Sequence, residues 1–285
     1  MISQEIEFFA PATIGEALAI LARAGGDARP LAGGMTLVPM MTLGIAQPAT
    51  IVSLNHIPEL AYVRESGGWL HIGAMTRHSQ IEANPLIRRH CPILCEAATH
   101  IGDHQVRHRG TIGGSLSHSD PAADYPPVML ALGARMKIRG PGGERIVAAS
   151  DFFKGLLETD VRAGEILAEI QAPKIADRYG YSYLRLHRIE GSFPIVNAAA
   201  IIERKFASAR LAMGGVGNTA IVLDVSQRLK AGLDDGAVRK VVEDAFTAAK
   251  DAPEDLSGNS EYRRAMARVF AERAIRKAAA ALNGN

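Results

Sequence analysis

The chain has 285 residues, enough for two modest domains or three subdomains around connected cores. It is 47% apolar and 22% charged with a formal net charge of +2, the balance of an ordinary globular protein. So weak a charge excludes an electrostatic footprint for nucleic acid or an anionic membrane, and no apolar run approaches the ~20 residues that cross a bilayer. The start, Met1-Ile2-Ser3-Gln4-Glu5-Ile6-Glu7, has no basic region leading into an apolar run, so no secretory signal is expected and the expected location is the cytoplasm.

In chain order, Ile6 to Phe9 reads as a short strand. Thr13-Ile14-Gly15-Glu16 has capping-box spacing and opens a helix whose apolar positions are Ile14, Ala17, Leu18, Leu21 and Ala22, ended by Gly25-Gly26. Arg29 to Ala32 is a second strand, Leu37 to Leu43 a helix and Ile51 to Leu54 a third strand, so residues 1–55 or so form a small α/β unit.

The middle reads as an antiparallel sheet with helices beside it. Ala61 to Arg64 and Trp69 to Gly73 flank the Ser66-Gly67-Gly68 turn as a hairpin. Thr76 to Ala83 is a helix, and Pro85 to Gly102 holds one or two more, broken near Pro92. A glycine-rich loop is expected over Arg109 to Pro121. Arg135 to Ile138 and Arg145 to Ala148 form a second hairpin, and Glu165 to Ile170 another strand. Beyond a boundary at Pro173 to Gly180, Tyr181 to Leu186, Ile195 to Glu203 and Arg210 to Gly214 read as antiparallel strands. The period then becomes helical at Val238, Val241, Val242, Ala245 and Phe246, and again from Tyr262 to Leu282.

Only Cys91 and Cys95 are present. A thiolate-held cluster needs four such ligands, so these two read as packed thiols on one helix face. Any iron–sulfur cluster working with this chain would sit on another polypeptide.

Two glycine-rich turns carry the chemistry. In Leu31-Ala32-Gly33-Gly34-Met35-Thr36-Leu37, paired glycines let the backbone approach a bulky anion, the following helix offers unpaired N–H groups, and Thr36 adds a hydroxyl. In Gly110-Thr111-Ile112-Gly113-Gly114-Ser115, glycines flanked by hydroxyls form a second backbone nest, and Asp124, in Asp120-Pro121-Ala122-Ala123-Asp124, is placed for sugar hydroxyls or as a helix N-cap. Neither turn has Gly-x-Gly-x-x-Gly or Walker spacing, and each alone is explained by a tight structural turn. Two such loops together can grip both phosphates of a dinucleotide. A residue with a side chain at Gly114 would occupy pyrophosphate space and demand a forbidden backbone angle. His104 to Arg109 reads as a solvated basic edge. Met35, Met40 and Met41 read as core.

On these two loops, their spacing, the Asp-Pro-Ala-Ala-Asp segment and the Glu165-Ile166-Leu167 strand, the chain resembles the flavoprotein medium subunits of the molybdenum hydroxylases over nearly its whole length. The resemblance implies an α+β fold of the vanillyl-alcohol-oxidase and MurB type, with an FAD-binding domain at 1–176, subdivided near 55, and a C-terminal domain of antiparallel strands plus helices at 177–285. It implies that Ala32, Gly33, Gly34, Met35, Thr36 and Leu37, with Thr111, Gly113, Gly114 and Ser115, hold the FAD pyrophosphate, and that Arg29 touches a phosphate. It implies that Asp124 lies by the ribityl chain, Leu167 by the adenine or the ring, Ile101 near the isoalloxazine, and Arg185 at a flavin-contacting position. His187 and Arg188, before Gly191-Ser192-Phe193-Pro194, are weaker candidates. Met35 departs from the His or Gln of many relatives, so only its backbone would bind.

The implied partners are a large molybdopterin subunit and a small subunit with two 2Fe–2S clusters, in a dimer of such trimers. This chain would take electrons from the clusters and pass them to an external acceptor. The rivals are a self-contained MurB-like FAD oxidoreductase, which needs an acid or base near the ring, and a non-catalytic assembly subunit, against which the intact glycine pairs argue.

Overall fold

The computed structural model describes residues 5–175 and 179–283. The boundary expected at 176/177 lies outside the described residues.

The N-terminal unit comprises β1 (Glu7–Phe9), α1 (Ile14–Ala24), β2 (Ala28–Leu31), α2 (Leu37–Thr42) and β3 (Thr50–Ser53). Thr13 caps α1 by accepting the Glu16 N–H at 3.2 Å, while the Glu16 carboxylate reaches back to the Ala12 N–H at 2.9 Å. Gly25, at φ 63°, ends the helix. The three strands form a parallel sheet in the order β1-β3-β2, and Ile14, Ala17 and Leu21 of α1 pack with Val52 of the central strand.

The middle unit opens with β4 (Val63–Ser66) and β5 (Trp69–Gly73), then runs through α3 (His78–Ala83), α4 (Pro85–His90), α5 (Pro92–Thr99), α6 (His104–Arg109), α7 (Ile112–His118) and α8 (Tyr125–Leu132). It closes with β6 (Arg135–Gly140), β7 (Gly143–Ala148), α9 (Ala149–Phe152), β8 (Phe153–Gly155), β9 (Glu158–Thr159) and β10 (Ile166–Pro173). Its main sheet is antiparallel, in the order β4-β5-β10-β6-β7, with buried β10 at the centre. Both expected hairpins form its edges.

The expected loop over 109–121 is instead largely helical. Asp103 caps α6 by accepting the Val106 N–H at 2.8 Å, and Thr111 caps α7 by accepting the Gly114 N–H at 3.0 Å. Gly113 and Gly114 are therefore helical residues, and no forbidden backbone angle exists at Gly114. Cys91 sits at the α4–α5 junction and Cys95 within α5, both buried and unpaired. Burial raises both thiols above their ordinary range.

The C-terminal unit holds β11 (Tyr179–Leu186), β12 (Val196–Glu203), β13 (Ala209–Gly214), β14 (Ile221–Asp224), α10 (Ser226–Leu229), α11 (Asp235–Ala248) and α12 (Ser260–Asn283). The strands form an antiparallel sheet in sequence order. Alanines of α12 (Ala267, Ala271, Ala274, Ala278) let the helix lie close on β11 and β12, where the Ser182 hydroxyl donates to the Ala274 carbonyl at 2.8 Å. The α+β class read from the sequence is the observed one. Among the described residues no helix is long and apolar enough to cross a membrane, and no His, Cys, Asp or Glu cluster is arranged to hold a metal.

Candidate cofactor-binding site

A cavity of about 470 Å³ opens where the three units meet. Its walls are the turn from Arg29 to Leu37, the β5–α3 junction, the start of α7 through Asp124, the start of β10, and Gly191 to Phe193. Every residue named from the sequence for the cofactor lines it, except Arg185 and the weaker candidates His187 and Arg188.

The two glycine turns touch. A Cβ on Gly33 would run into the Arg109 carbonyl and lie 2.7 Å from the Gly110 Cα. Gly34 holds φ +77°, a left-handed conformation that L side chains rarely adopt. The carbonyls of Leu31 and Ala32 are tied back, to the Leu54 N–H at 2.9 Å and the Asn55 side chain at 3.0 Å. The N–H groups of Gly33, Gly34, Met35 and Thr36 have no hydrogen-bond partner among the described residues. Such a run of open donors on a cavity wall is a seat for an anion.

The second turn differs from the expectation. The Ile112 N–H donates to Thr76 O at 3.1 Å, that of Gly113 to Ala74 O at 2.8 Å, that of Gly114 to Thr111 Oγ1 at 3.0 Å, and that of Ser115 to Thr111 O at 3.0 Å. These backbone donors are occupied, so this turn is not an open nest. It offers side chains instead: the hydroxyls of Thr111, Ser115 and Ser117 and the His118 ring, which burial holds below its ordinary pKa.

Asp124 reaches the cavity wall but does not cap α8. Its Oδ1 accepts the Tyr183 hydroxyl at 2.5 Å and faces Arg185 Nη1 at 3.2 Å. Burial pushes its pKa up, while Arg185 and Tyr183 pull it down. The Arg185 side chain is 3% exposed and donates to the carbonyls of His100 and Ser192. It therefore stands behind the wall, holding Asp124 and the Gly191–Phe193 segment. The two-residue strand repeat puts it on the same face of β11 as Tyr183. His187 pairs with Glu190 at 3.0 Å and Arg188 donates to Leu256 O at 2.9 Å, so neither lines the cavity.

The basic edge is only partly solvated. His108 and Arg109 are exposed, but Arg107 is buried, ion-paired with Glu82 at 3.0 Å and donating to Ile101 O at 3.2 Å. Of the three methionines expected in the core, only Met41 is there; Met35 and Met40 line the cavity. Among the lining residues that the sequence did not point to are His78 and Ser117. His78 is 4% exposed with Nδ1 3.2 Å from the Tyr125 hydroxyl, and burial, then Arg77 and Arg107, lower its pKa to about 3. Neither carries a spacing signal of its own.

A strand–turn–helix seam with open backbone donors, facing hydroxyls across an apolar cleft, defines a dinucleotide-binding protein. Residues 4–175 match the family described as FAD binding domain in molybdopterin dehydrogenase, and residues 181–278 match the CO dehydrogenase flavoprotein C-terminal domain. The chain belongs to this family, the FAD-binding medium subunits of molybdenum-dependent oxidoreductases. It is 37% identical to the carbon monoxide dehydrogenase medium chain of Hydrogenophaga pseudoflava, over 98% of each chain. It is 34% identical to the glyceraldehyde dehydrogenase medium chain of Sulfolobus acidocaldarius, covering 98% of this chain and 100% of that one. The solved carbon monoxide dehydrogenase from Hydrogenophaga pseudoflava superposes with a TM-score of 0.94 at 36% identity, over 98% of this chain and 99% of that chain. Quinoline 2-oxidoreductase from Pseudomonas putida 86 gives 0.89 at 31%, over 99% of each.

The residues present fit an FAD. The Gly33 position tolerates no Cβ, the four open N–H groups suit a diphosphate, and apolar Leu167 and Ile101 offer packing to ring systems.

Proposed function

We propose that this chain is the electron-transferring FAD subunit of a heterotrimeric molybdenum hydroxylase. In it, a large subunit carries molybdopterin, a small subunit carries two 2Fe–2S clusters, and the assembly is a cytoplasmic dimer of trimers. The observation that carries the reading is the seam of Gly33 on Gly110, with four unpartnered N–H groups beside it. The names of the relatives support it, since they are medium chains or lettered subunits of larger dehydrogenases.

Bound FAD supplies reversible one- and two-electron chemistry. The chain's own part is to bind and orient it. The N–H groups of Gly33 to Thr36 hold the diphosphate, with Thr111 and Ser115 hydroxyls opposite and Arg29 at the entrance. Asp124, fixed by Tyr183 and Arg185, presents a carboxyl to sugar-like hydroxyls. Leu167 and Ile101 exclude water from the rings. Residues 1–176 form the FAD-binding part and 177–285 the part that closes the ring side through Gly191 to Phe193. The partner surface lies near the cavity mouth, where His108 and Arg109 are exposed.

The chain expressed alone is expected to bind FAD non-covalently, release a yellow chromophore to the supernatant on acid precipitation, and oxidise no organic substrate with a dye acceptor. Co-expressed with its partners, it should purify as their complex. Colour staying with the pellet contradicts the non-covalent site. Robust single-chain turnover of an organic substrate favours the self-contained enzyme instead.

A further inference from the structure

The His78 ring is 4% exposed, yet it lines the cofactor cavity. One ring nitrogen is accounted for, because Nδ1 lies 3.2 Å from the Tyr125 hydroxyl. Nε2 has no hydrogen-bond partner among the described residues and lies against Gly110, itself a residue of the cavity wall: a Cβ added to Gly110 would lie 2.6 Å from it. Gly110 is also the residue on which Gly33 packs, so Nε2 stands at the seam between the two glycine turns.

The tautomer follows from satisfaction. Tyr125 is fully buried, and burial pushes its pKa up, so its hydroxyl keeps its proton. His78 Nδ1 is the acceptor the structure gives that proton. A buried phenol left without an acceptor is costly, so Nδ1 is the bare nitrogen and Nε2 carries the hydrogen. The ring is neutral at physiological pH, consistent with a pKa held near 3 by burial and by Arg77 and Arg107.

We infer that His78 is a further FAD-contact residue, whose Nε2–H donates a hydrogen bond to an oxygen of the dinucleotide's diphosphate at the Gly33–Gly110 seam. Tyr125 is the positioning residue that fixes its tautomer. The inference rests on the reading of this cavity as the FAD site. It adds a donor that neither glycine turn contains and that remains unchanged across neutral pH.

The test uses the full chain stripped of flavin, titrated with FAD and followed by flavin fluorescence. His78→Gln keeps a neutral donor and an acceptor for Tyr125. His78→Phe combined with Tyr125→Phe removes both partners and leaves no orphaned hydroxyl. The expected result is FAD affinity within about threefold of wild type for His78→Gln and a loss of roughly tenfold or more for the double variant, the scale of one hydrogen bond to a charged group. The flavin-free melting temperatures should stay close together. In ¹⁵N-histidine spectra of the wild-type apo chain, one ring should carry hydrogen on Nε2 alone, with a resonance that moves when FAD is added. Unchanged affinity in the double variant, or a proton found on Nδ1, overturns the inference while leaving the FAD site standing. Failure of the wild-type chain itself to bind FAD overturns both.

Discussion

The two glycine turns look alike in sequence and do opposite work. In Gly33-Gly34 the backbone donors are left open, with the carbonyls of the preceding Leu31 and Ala32 tied to Leu54 and Asn55 just beyond β3 and the second glycine in a left-handed conformation. In Gly113-Gly114 the donors are spent on Ala74, Thr76 and the Thr111 cap. There the missing side chain serves packing: a Cβ on Gly113 would collide with the Ala74 side chain and lie 2.6 Å from its carbonyl oxygen. Paired glycines therefore mark two different needs, an exposed polar backbone and a close approach of elements. Only a count of where the N–H groups go separates them.

The sharpest break of this contrast is Gly33→Ala. Its Cβ meets backbone, which cannot swing aside, so a loss of roughly 1–3 kcal/mol in stability and of nearly all FAD binding is expected. Thermal melting and flavin content measure both, and normal values would show that the seam is not tight. Next in size is Gly114→Val. With helical backbone and its nearest neighbours Thr111 Oγ1 at 2.9 Å and Ala32 Cβ at 3.4 Å, it should cost FAD affinity at least about tenfold, the branched chain reaching toward the first turn, and lower apo melting modestly because the capping hydroxyl must shift. Full flavin content would remove this helix from the site. Gly113→Ala should do the reverse: about 1–3 kcal/mol of stability from overpacking against Ala74, with affinity for FAD in the folded fraction nearly unchanged. Smallest is Thr111→Ala, which removes the cap of α7 at about 1 kcal/mol, read from the urea midpoint.

The elements that strong local rules specify were legible in the sequence. The α1 cap and its glycine end, both hairpins and the long C-terminal helix lie within a few residues of their expected bounds. What was missed had no local signal. The α7 helix was hidden because two glycines argue against helix by propensity, while a cap and tertiary hydrogen bonds to Ala74 and Thr76 decide for it. Strand β14 is a run of four residues, Ile221–Asp224, paired only at the sheet's edge with β13. At the site, the turns were readable because glycine pairs leave a trace. His78 was not, since a lone histidine opening a helix has no spacing to betray it. Arg185 was placed among the cofactor contacts by resemblance, yet the reach of its side chain to His100, Ser192 and Asp124 is a property of tertiary packing.

The seam between the turns also has a kinetic meaning. Gly33 and Gly110 belong to distant stretches of chain, and the strand beneath the cavity, β10, pairs with β5 from Glu169 against Gly73 to Pro173 against Trp69. Contacts of such high sequence separation form only after long loops have closed, which makes them slow steps of folding. The cavity therefore cannot preexist in any one segment, and FAD uptake is expected to be among the last events as the chain acquires its structure. Flavin supplied early in refolding should not accelerate collapse. It should act as a latch, slowing the separation of the N-terminal unit once the seam has closed.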